Sequence, residues 1–356
     1  MCFERNDQKE TYSGSGAGRN AKGVFPTRKT GWQGQSPAAR TWWCGIMRTI
    51  YRGTREGLEQ IDTYESGAWI NLVNPTPDEI REVVSWFQIP PDFLTDPLDI
   101  DERARVEREE GSTLIVLRIP HRESPGADIP YTTIPLGIIL TQNVTITVCL
   151  TAADLIDEFL SGKVKHFSPD KQSRFILLLF YRNTLLYMRY LRDINRMTTQ
   201  VERSLYRALK NEQLIHLLNL EKSLVFFVTS LRSNALMMEK FHATGCVRMS
   251  EEDRDLFEDM IIENKQALEM ANIYSSILSD MMDAFASVIS NNLNVIMKLL
   301  TTVTIILMIP TLVASVYGMN VALPFQDTPY AFAFTMALSV AFSAIGILIF
   351  WRKELL

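Results

Sequence analysis

The sequence predicts an α+β soluble body, a small sheet covered by helices, joined by one very long helix to a hairpin of two transmembrane helices. Three observations carry this. Two uncharged apolar runs close the chain, 299–316 (LLTTVTIILMIPTLVASV) and 330–351 (YAFAFTMALSVAFSAIGILIFW). A stretch with neither Gly nor Pro runs from 250 to 309 into the first of them. Short β-branched runs separated by turn residues occupy the chain before Leu150.

Residues 1–46 hold seven basic and three acidic side chains and no apolar run, so they read as a disordered leader without a secretory signal. Met47 is a candidate natural start. The Gly/Ser run 13–18 lacks the Gly-Lys-Ser/Thr of a phosphate loop. Residues 47–150 form the α/β domain. In it 69–73 is strand-like, and Asn74-Pro75-Thr76-Pro77 opens a helix toward Phe87. A β-branched run follows at 113–119, and 134–140 and 144–150 flank a Thr-Gln-Asn turn as a hairpin. Residues 151–249 are helical, with segments at 152–160, 170–209 and 211–242 and a break at Gly245. The apolar run 175–180 is too short to span a bilayer, and Arg174 and Arg182 lie beside it, so it faces a core.

Ser250 followed by Glu251, Glu252 and Asp253 starts a new helix. It extends over 250–316, about 100 Å at 1.5 Å per residue. Its last part, about 297–316, is the first span. The connector 317–329 carries one charge, Asp327; the second span is 330–351, and 352–356 is a basic tail. Lys298, Arg352 and Lys353 flank the spans, while the connector has no Lys or Arg. The positive-inside rule therefore places both termini in the cytoplasm of a multi-pass protein.

Composition excludes other classes. Thirty-six basic against 41 acidic residues give a net charge of −5, which argues against nucleic acid as a partner. The four cysteines (Cys2, Cys44, Cys149, Cys246) have no metal-ligand spacing and read as reduced thiols. His121, His166, His216 and His242 are scattered, and no nucleophile elbow or metalloprotease motif is present, so the chain is not expected to be an enzyme.

The first span carries a stripe. Asn294, Met297, Thr301, Thr304, Met308, Thr311 and Ser315 recur at alternating spacings of three and four, which is one helix face. Periodicity alone fits either helix packing through small polar groups or the lining of a pore. Without carboxylates, such a face suits a hydrated hard cation better than a bare one. Tyr317-Gly318-Met319-Asn320 ends the span. Gly permits a helix-ending turn, and Asn offers an uncharged carbonyl oxygen.

Two C-terminal spans, the first closed by Tyr-Gly-Met-Asn, resemble the CorA family of magnesium transporters over 47–356. The resemblance implies a homopentameric funnel in the cell (inner) membrane. The first spans would surround the pore, with Gly318, Met319 and Asn320 as selectivity filter. Asn294, Met297, Leu300, Thr304, Met308 and Thr311 match the family's pore-facing positions, and Met297 and Leu300 would form a hydrophobic gate. It implies no cofactor other than Mg²⁺ as transported and regulatory ion. Asp96 matches the family's regulatory carboxylate and Asp259 its partner on the long helix, with Asp99, Glu258 and Glu263 nearby; a solvated acidic face is the plainer alternative. Lys298, Arg352 and Lys353 would form a basic collar or simply anchor the spans. The family's acidic connector is missing here, apart from Asp327. The expected function is influx of Mg²⁺, with Co²⁺ or Ni²⁺ as further cargo, gated by cytoplasmic Mg²⁺. The alternatives are a ZntB-like zinc transporter, where Met319 is atypical, and a membrane-anchored helical scaffold or sensor without flux.

Overall fold

The computed structural model describes residues 48–353 apart from 55–56, 110, 166, 206–210, 321–323 and 325–328. The expected leader 1–46, Met47, His166, Asp327 of the connector and the end of the basic tail lie outside the described residues.

The chain runs β1 (Arg48–Thr54), β2 (Gly57–Ile61), β3 (Trp69–Val73), α1 (Pro77–Phe87), α2 (Asp92–Thr95) and a 3-10 turn (Asp96–Leu98). Then come β4 (Arg105–Glu109), β5 (Ser112–Arg122), β6 (Tyr131–Leu140), β7 (Thr145–Cys149) and α3 (Asp154–Leu160). Four long helices complete it: α4 (Gln172–Leu205), α5 (Asn211–Thr244), α6 (Glu251–Tyr317) and α7 (Ala331–Arg352). The strands form one seven-stranded sheet in the order β2-β1-β3-β7-β6-β5-β4. Only the β3–β7 pair is parallel.

The sheet is larger than the strand-like runs of the sequence suggest. β3, β5, β6 and β7 are buried almost throughout. β1, β2 and β4 read RTIYRGT, GLEQI and RVERE, and they lie toward the sheet's margins with charged side chains in water. Their alternation is too polar to stand out from loop.

Two layers cover the sheet. Ile70, Leu72, Leu114, Val116, Ile139 and Val148 face α1 and α2 through Val83, Phe93 and Leu94. Trp69, Ile115, Leu117, Leu136 and Ile138 face the helices from α3 onward. The period-two alternation of the strands separates the layers. Thr76 caps α1 in a reciprocal capping box with Glu79, and Pro77 sits in the first turn. The turn after α2 lies flat on the sheet because β6 has Gly137 beneath it; a Cβ there would stand 2.4 Å from Pro97 Cγ.

Among the described residues three helices are long and apolar enough to cross a membrane: α6, α7 and, beyond the two expected, α5. Burial separates them. The most apolar stretch of α5 is 44% buried within the protein, against 11% for α6 and 6% for α7. Leu217, Leu220, Leu224, Phe227 and Leu231 join α5 to the common core. Its Ser223 hydroxyl accepts from the Tyr131 N–H at 3.3 Å. The Ser230 hydroxyl donates to Thr133 Oγ1 at 2.8 Å.

On α6 up to residue 285 the buried residues are Asp253, Phe257, Met260, Asn264, Ala267, Ala271, Leu278 and Phe285. Half-buried Tyr274 and Met281 complete an unbroken alternation of four and three. A strict 3.5-residue repeat keeps one seam against α4 and α5 and favours left-handed winding. Residues 286–301 then have almost no cover within the chain. From Thr302 the seam is covered again, now by α7. On α7 the facing row is Thr335, Ser339, Ser343 and Gly346. These small residues let the helices approach closely; a Cβ on Gly346 would stand 3.1 Å from Ile309 Cδ1.

Two outcomes are expected. Gly137→Val forces the 96–98 turn off the sheet and costs about 1–3 kcal/mol. The thermal unfolding midpoint of the detergent-solubilised protein should fall by several degrees. Cys149 is buried, which pushes its thiol up to about 11, whereas Cys246 is partly exposed. At pH 8 a maleimide should therefore label Cys246 quickly and Cys149 only after unfolding.

Candidate cation pathway and regulatory site

The structure places the stripe of α6 on the side that the chain leaves open. Asn294, Met297, Leu300, Thr301, Thr304, Met308, Thr311 and Ser315 are all exposed. Thr302 and Val313 are buried toward α7, with Ile306 and Ile309 half-buried. At about 100° per residue the two rows lie on roughly opposite faces. Helix pairing within one chain therefore leaves the stripe free. The residues that do the small-residue packing are Thr302 on α6 and Ser339, Ser343 and Gly346 on α7. Their Ser-x₃-Ser-x₂-Gly spacing is the sequence signal that identifies them.

The stripe's hydroxyls are oriented. Thr304 Oγ1 donates to the Leu300 carbonyl at 2.8 Å, and Thr311 Oγ1 donates to the Leu307 carbonyl at 3.2 Å. Each spends its proton on its own helix and presents only lone pairs outward. The water shell of a cation points its hydrogens outward, so these oxygens match it. Pro310 lies within α6 and has no N–H for the Ile306 carbonyl.

The helix ends at Gly318, whose N–H reaches the Ala314 carbonyl at 2.9 Å. The turn there is not left-handed; φ is −85° and ψ is −1°. The missing Cβ of Gly318 matters for space instead, since one would stand 3.2 Å from the Ala314 oxygen. Met319 and Asn320 follow, exposed. Lys298, Arg352 and Lys353 are exposed at the same end of the antiparallel α6–α7 pair.

The carboxylates are placed differently. Asp96 opens the 3-10 turn, in the layer of α1 and α2. Asp259 lies on α6, in the layer on the other side of the sheet. One chain therefore does not bring them together, and a shared cation needs two chains. Asp259, Glu258 and Glu263 have no ion-pair partner among the described residues. Asp99 Oδ1 accepts from the Asp101 N–H at 3.0 Å. Among the described residues no three His, Cys, Asp or Glu side chains form a metal-holding group. The donors available at Asp96 and Asp259 are carboxylate oxygens, which suit Mg²⁺.

Asp96 has an internal partner that pattern reasoning does not find. Arg105 Nη2 stands 2.6 Å from Asp96 Oδ2. Arg105 also pairs with Glu102, and its Nε lies 3.1 Å from Glu107 Oε2. Burial works against the guanidinium's charge, but the carboxylates outweigh it and hold its pKa above the ordinary value.

Arg118 ties this region to the helices. Its guanidinium donates to the carbonyls of Ile100 at 2.5 Å, Glu102 at 3.0 Å and Thr133 at 2.7 Å. The β4–β5 pairing stops at Arg105 and Val116, so the main chain of Arg118 lies beyond it on that edge of β5. Asn234 of α5 supplies the missing partners: Oδ1 accepts from the Arg118 N–H at 2.9 Å, and Nδ2 donates to the Arg118 carbonyl at 2.7 Å. Asn183 and the Tyr187 hydroxyl of α4 donate to the same carbonyl. At the base of α6, Arg174 of α4 pairs with Asp253 at 3.1 Å, and Asn264 Nδ2 donates to the Leu231 carbonyl of α5 at 3.3 Å.

An α/β domain continuing through one unbroken helix into a pair of apolar helices defines a membrane protein whose folded domain and spans share a single rod. The family model described as CorA-like Mg²⁺ transporter protein matches residues 64–353, and the chain belongs to that family. Its members are ion transporters of the membrane rather than enzymes. The cobalt/magnesium transport protein CorA of Methanocaldococcus jannaschii is 30% identical over 290 residues, covering 80% of this chain and 90% of that protein. The complete structure of the CorA magnesium transporter from the same organism superimposes with a TM-score of 0.73 at 27% identity, covering 87% of this chain and 99% of that one. The cytoplasmic domain of ZntB from Vibrio parahaemolyticus shares the fold, with a TM-score of 0.54 at 13% identity, 69% of this chain and 97% of that one.

Replacing Asn234 with Leu leaves the Arg118 N–H without its partner, at a cost of about 1–3 kcal/mol. A lower thermal midpoint together with faster hydrogen exchange in 115–119 is the expected result.

Proposed function

We propose that the chain is a channel-type transporter that carries Mg²⁺ inward, with Co²⁺ and Ni²⁺ as further cargo. The observation that supports this best is the orientation of α6: its hydroxyl-and-amide stripe turns away from α7. Five copies around an axis would put five stripes face to face, with the α7 helices outside. Both termini would then be cytoplasmic, in a cell membrane. Asn320 would ring the mouth with amide oxygens, beside Met319 and the space left by Gly318. A ring of neutral oxygens selects by hydration and size rather than by tight binding. Met297 and Leu300, both about 60% exposed in the single chain, would meet as the constriction that closes by dewetting.

The membrane potential supplies the driving force, about 2.3 kcal/mol per charge per 100 mV, and twice that for a divalent ion. Lys298, Arg352 and Lys353 would form a positive collar at the inner end. Regulation would act through Asp96 of one subunit and Asp259 of the next, with Asp99, Glu258 and Glu263 adding negative charge. Their separation by the sheet within one chain supports a site between chains. When cytoplasmic Mg²⁺ is abundant it bridges the carboxylates and the gate stays shut; when it falls, the carboxylates repel and the stalks rearrange.

The test is cation entry into liposomes at low internal Mg²⁺ with an inside-negative potential. Wild type should admit Mg²⁺. Asn320→Ala, folded and assembled, should lose discrimination among divalent ions. Entry of Zn²⁺ without Mg²⁺ would replace this reading with the zinc-transporting one. An intact oligomer that passes neither would leave a membrane-anchored scaffold.

A further inference from the structure

The carboxylate read as the regulatory ligand already holds a cation, the guanidinium of Arg105. Arg105 begins β4, nine residues after Asp96, and reaches back over the intervening loop. Its three nitrogens are each committed: Nη2 to Asp96 at 2.6 Å, Nη1 to Glu102, and Nε to Glu107 at 3.1 Å. The carboxylates come from three places: the 3-10 turn, the loop after it, and β4 itself. The Arg105 and Asp96 side chains are 30% and 34% exposed, so an ion from solution can reach the pair.

A divalent ion approaching Asp96 meets a fixed positive charge at contact distance. It binds only if the guanidinium gives up or shares the carboxylate. The cluster allows this at little cost, because Arg105 keeps Glu102 and Glu107 after releasing Asp96. An arginine suits this role, since it stays charged at every physiological pH and its planar fork can hold several carboxylates at once.

We propose that Arg105 is a built-in competitor for the regulatory cation, and so sets the cytoplasmic Mg²⁺ concentration at which the transporter closes. This rests on the reading of Asp96 as a regulatory ligand. Arg105 acts through Asp96 and touches no transported ion; it is a positioning residue whose charge tunes the site.

The experiment is a Mg²⁺ titration of the full-length protein in detergent, read by calorimetry and by protection of the cytoplasmic helices from chymotrypsin. The binding step of interest is the one that Asp96→Asn removes. In Arg105→Gln the half-saturating Mg²⁺ for that step should fall about tenfold, the scale expected for removing one charge beside a partly exposed ion. Raised ionic strength should narrow the difference. Arg105→Lys, which keeps the charge, should stay within about twofold of wild type. An unchanged or higher half-saturating concentration in Arg105→Gln would overturn the inference alone, since Arg105 would then merely orient Asp96. If Asp96→Asn removes no step at all, the regulatory reading falls and the inference with it.

Discussion

The apolar seam of α6 is the constraint on which the other elements depend. A repeat of alternating four and three residues runs from Asp253 to Phe285, and the same register, resumed at Thr302, reaches Val313. Its first part is held by α4 and α5, its last part by α7. Because the repeat is 3.5 residues, the seam winds left-handedly along the rod from the soluble helices to α7. Across from the α7 contact, the face with the hydroxyls and Asn294 is left without a partner in the chain. Asn264 sits in the seam as its one buried amide and spends its Nδ2 on α5, which fixes the register more sharply than leucine would.

The sheet is coupled to this rod through hydrogen bonds rather than through packing alone. Arg118 is the junction. Its side chain holds the loop that follows Asp96, and its main chain is held by Asn183, Tyr187 and Asn234. Those residues belong to α4 and α5, which in turn clasp α6. The 96–102 segment is therefore joined to the helices that clasp α6 by a chain of hydrogen bonds through Arg118. Arg105 pairs with carboxylates of this segment, and Arg118 with its carbonyls.

The elements that were legible in the sequence share one property: their signal is local. The two spans declare themselves by length without charge, and the long helix by the absence of Gly and Pro up to Pro310. The 134–150 hairpin shows in β-branched runs around a turn, and α1 in Asn74-Pro75-Thr76-Pro77. What was not legible is long-range or mixed. β1, β2 and β4 are polar enough to pass for loop. The apolar composition of α5 matches a span, and only its fit against the sheet assigns it to the core. The pairing of Arg105 with Asp96, and the use of Asn234 as a substitute strand opposite Arg118, join residues that no spacing connects. Gly318 marked the end of the long helix in the sequence, but the room its missing Cβ leaves there was not legible. The stripe was visible, but its direction relative to α7 was not, since that depends on which row of α7 is small.

The unbroken length of α6 has a mechanical consequence. Between Asp253, pinned to Arg174, and Met297 lie 44 residues of helix, an arm of about 66 Å at 1.5 Å per residue. Turning this arm together with the helices packed on it by about 5° about its base would carry the far end roughly 6 Å sideways. Displacements too small to disturb a well-packed domain are thus magnified to the width of several atoms at the other end of the lever. The domain needs no large internal motion to work it, only a fulcrum that holds.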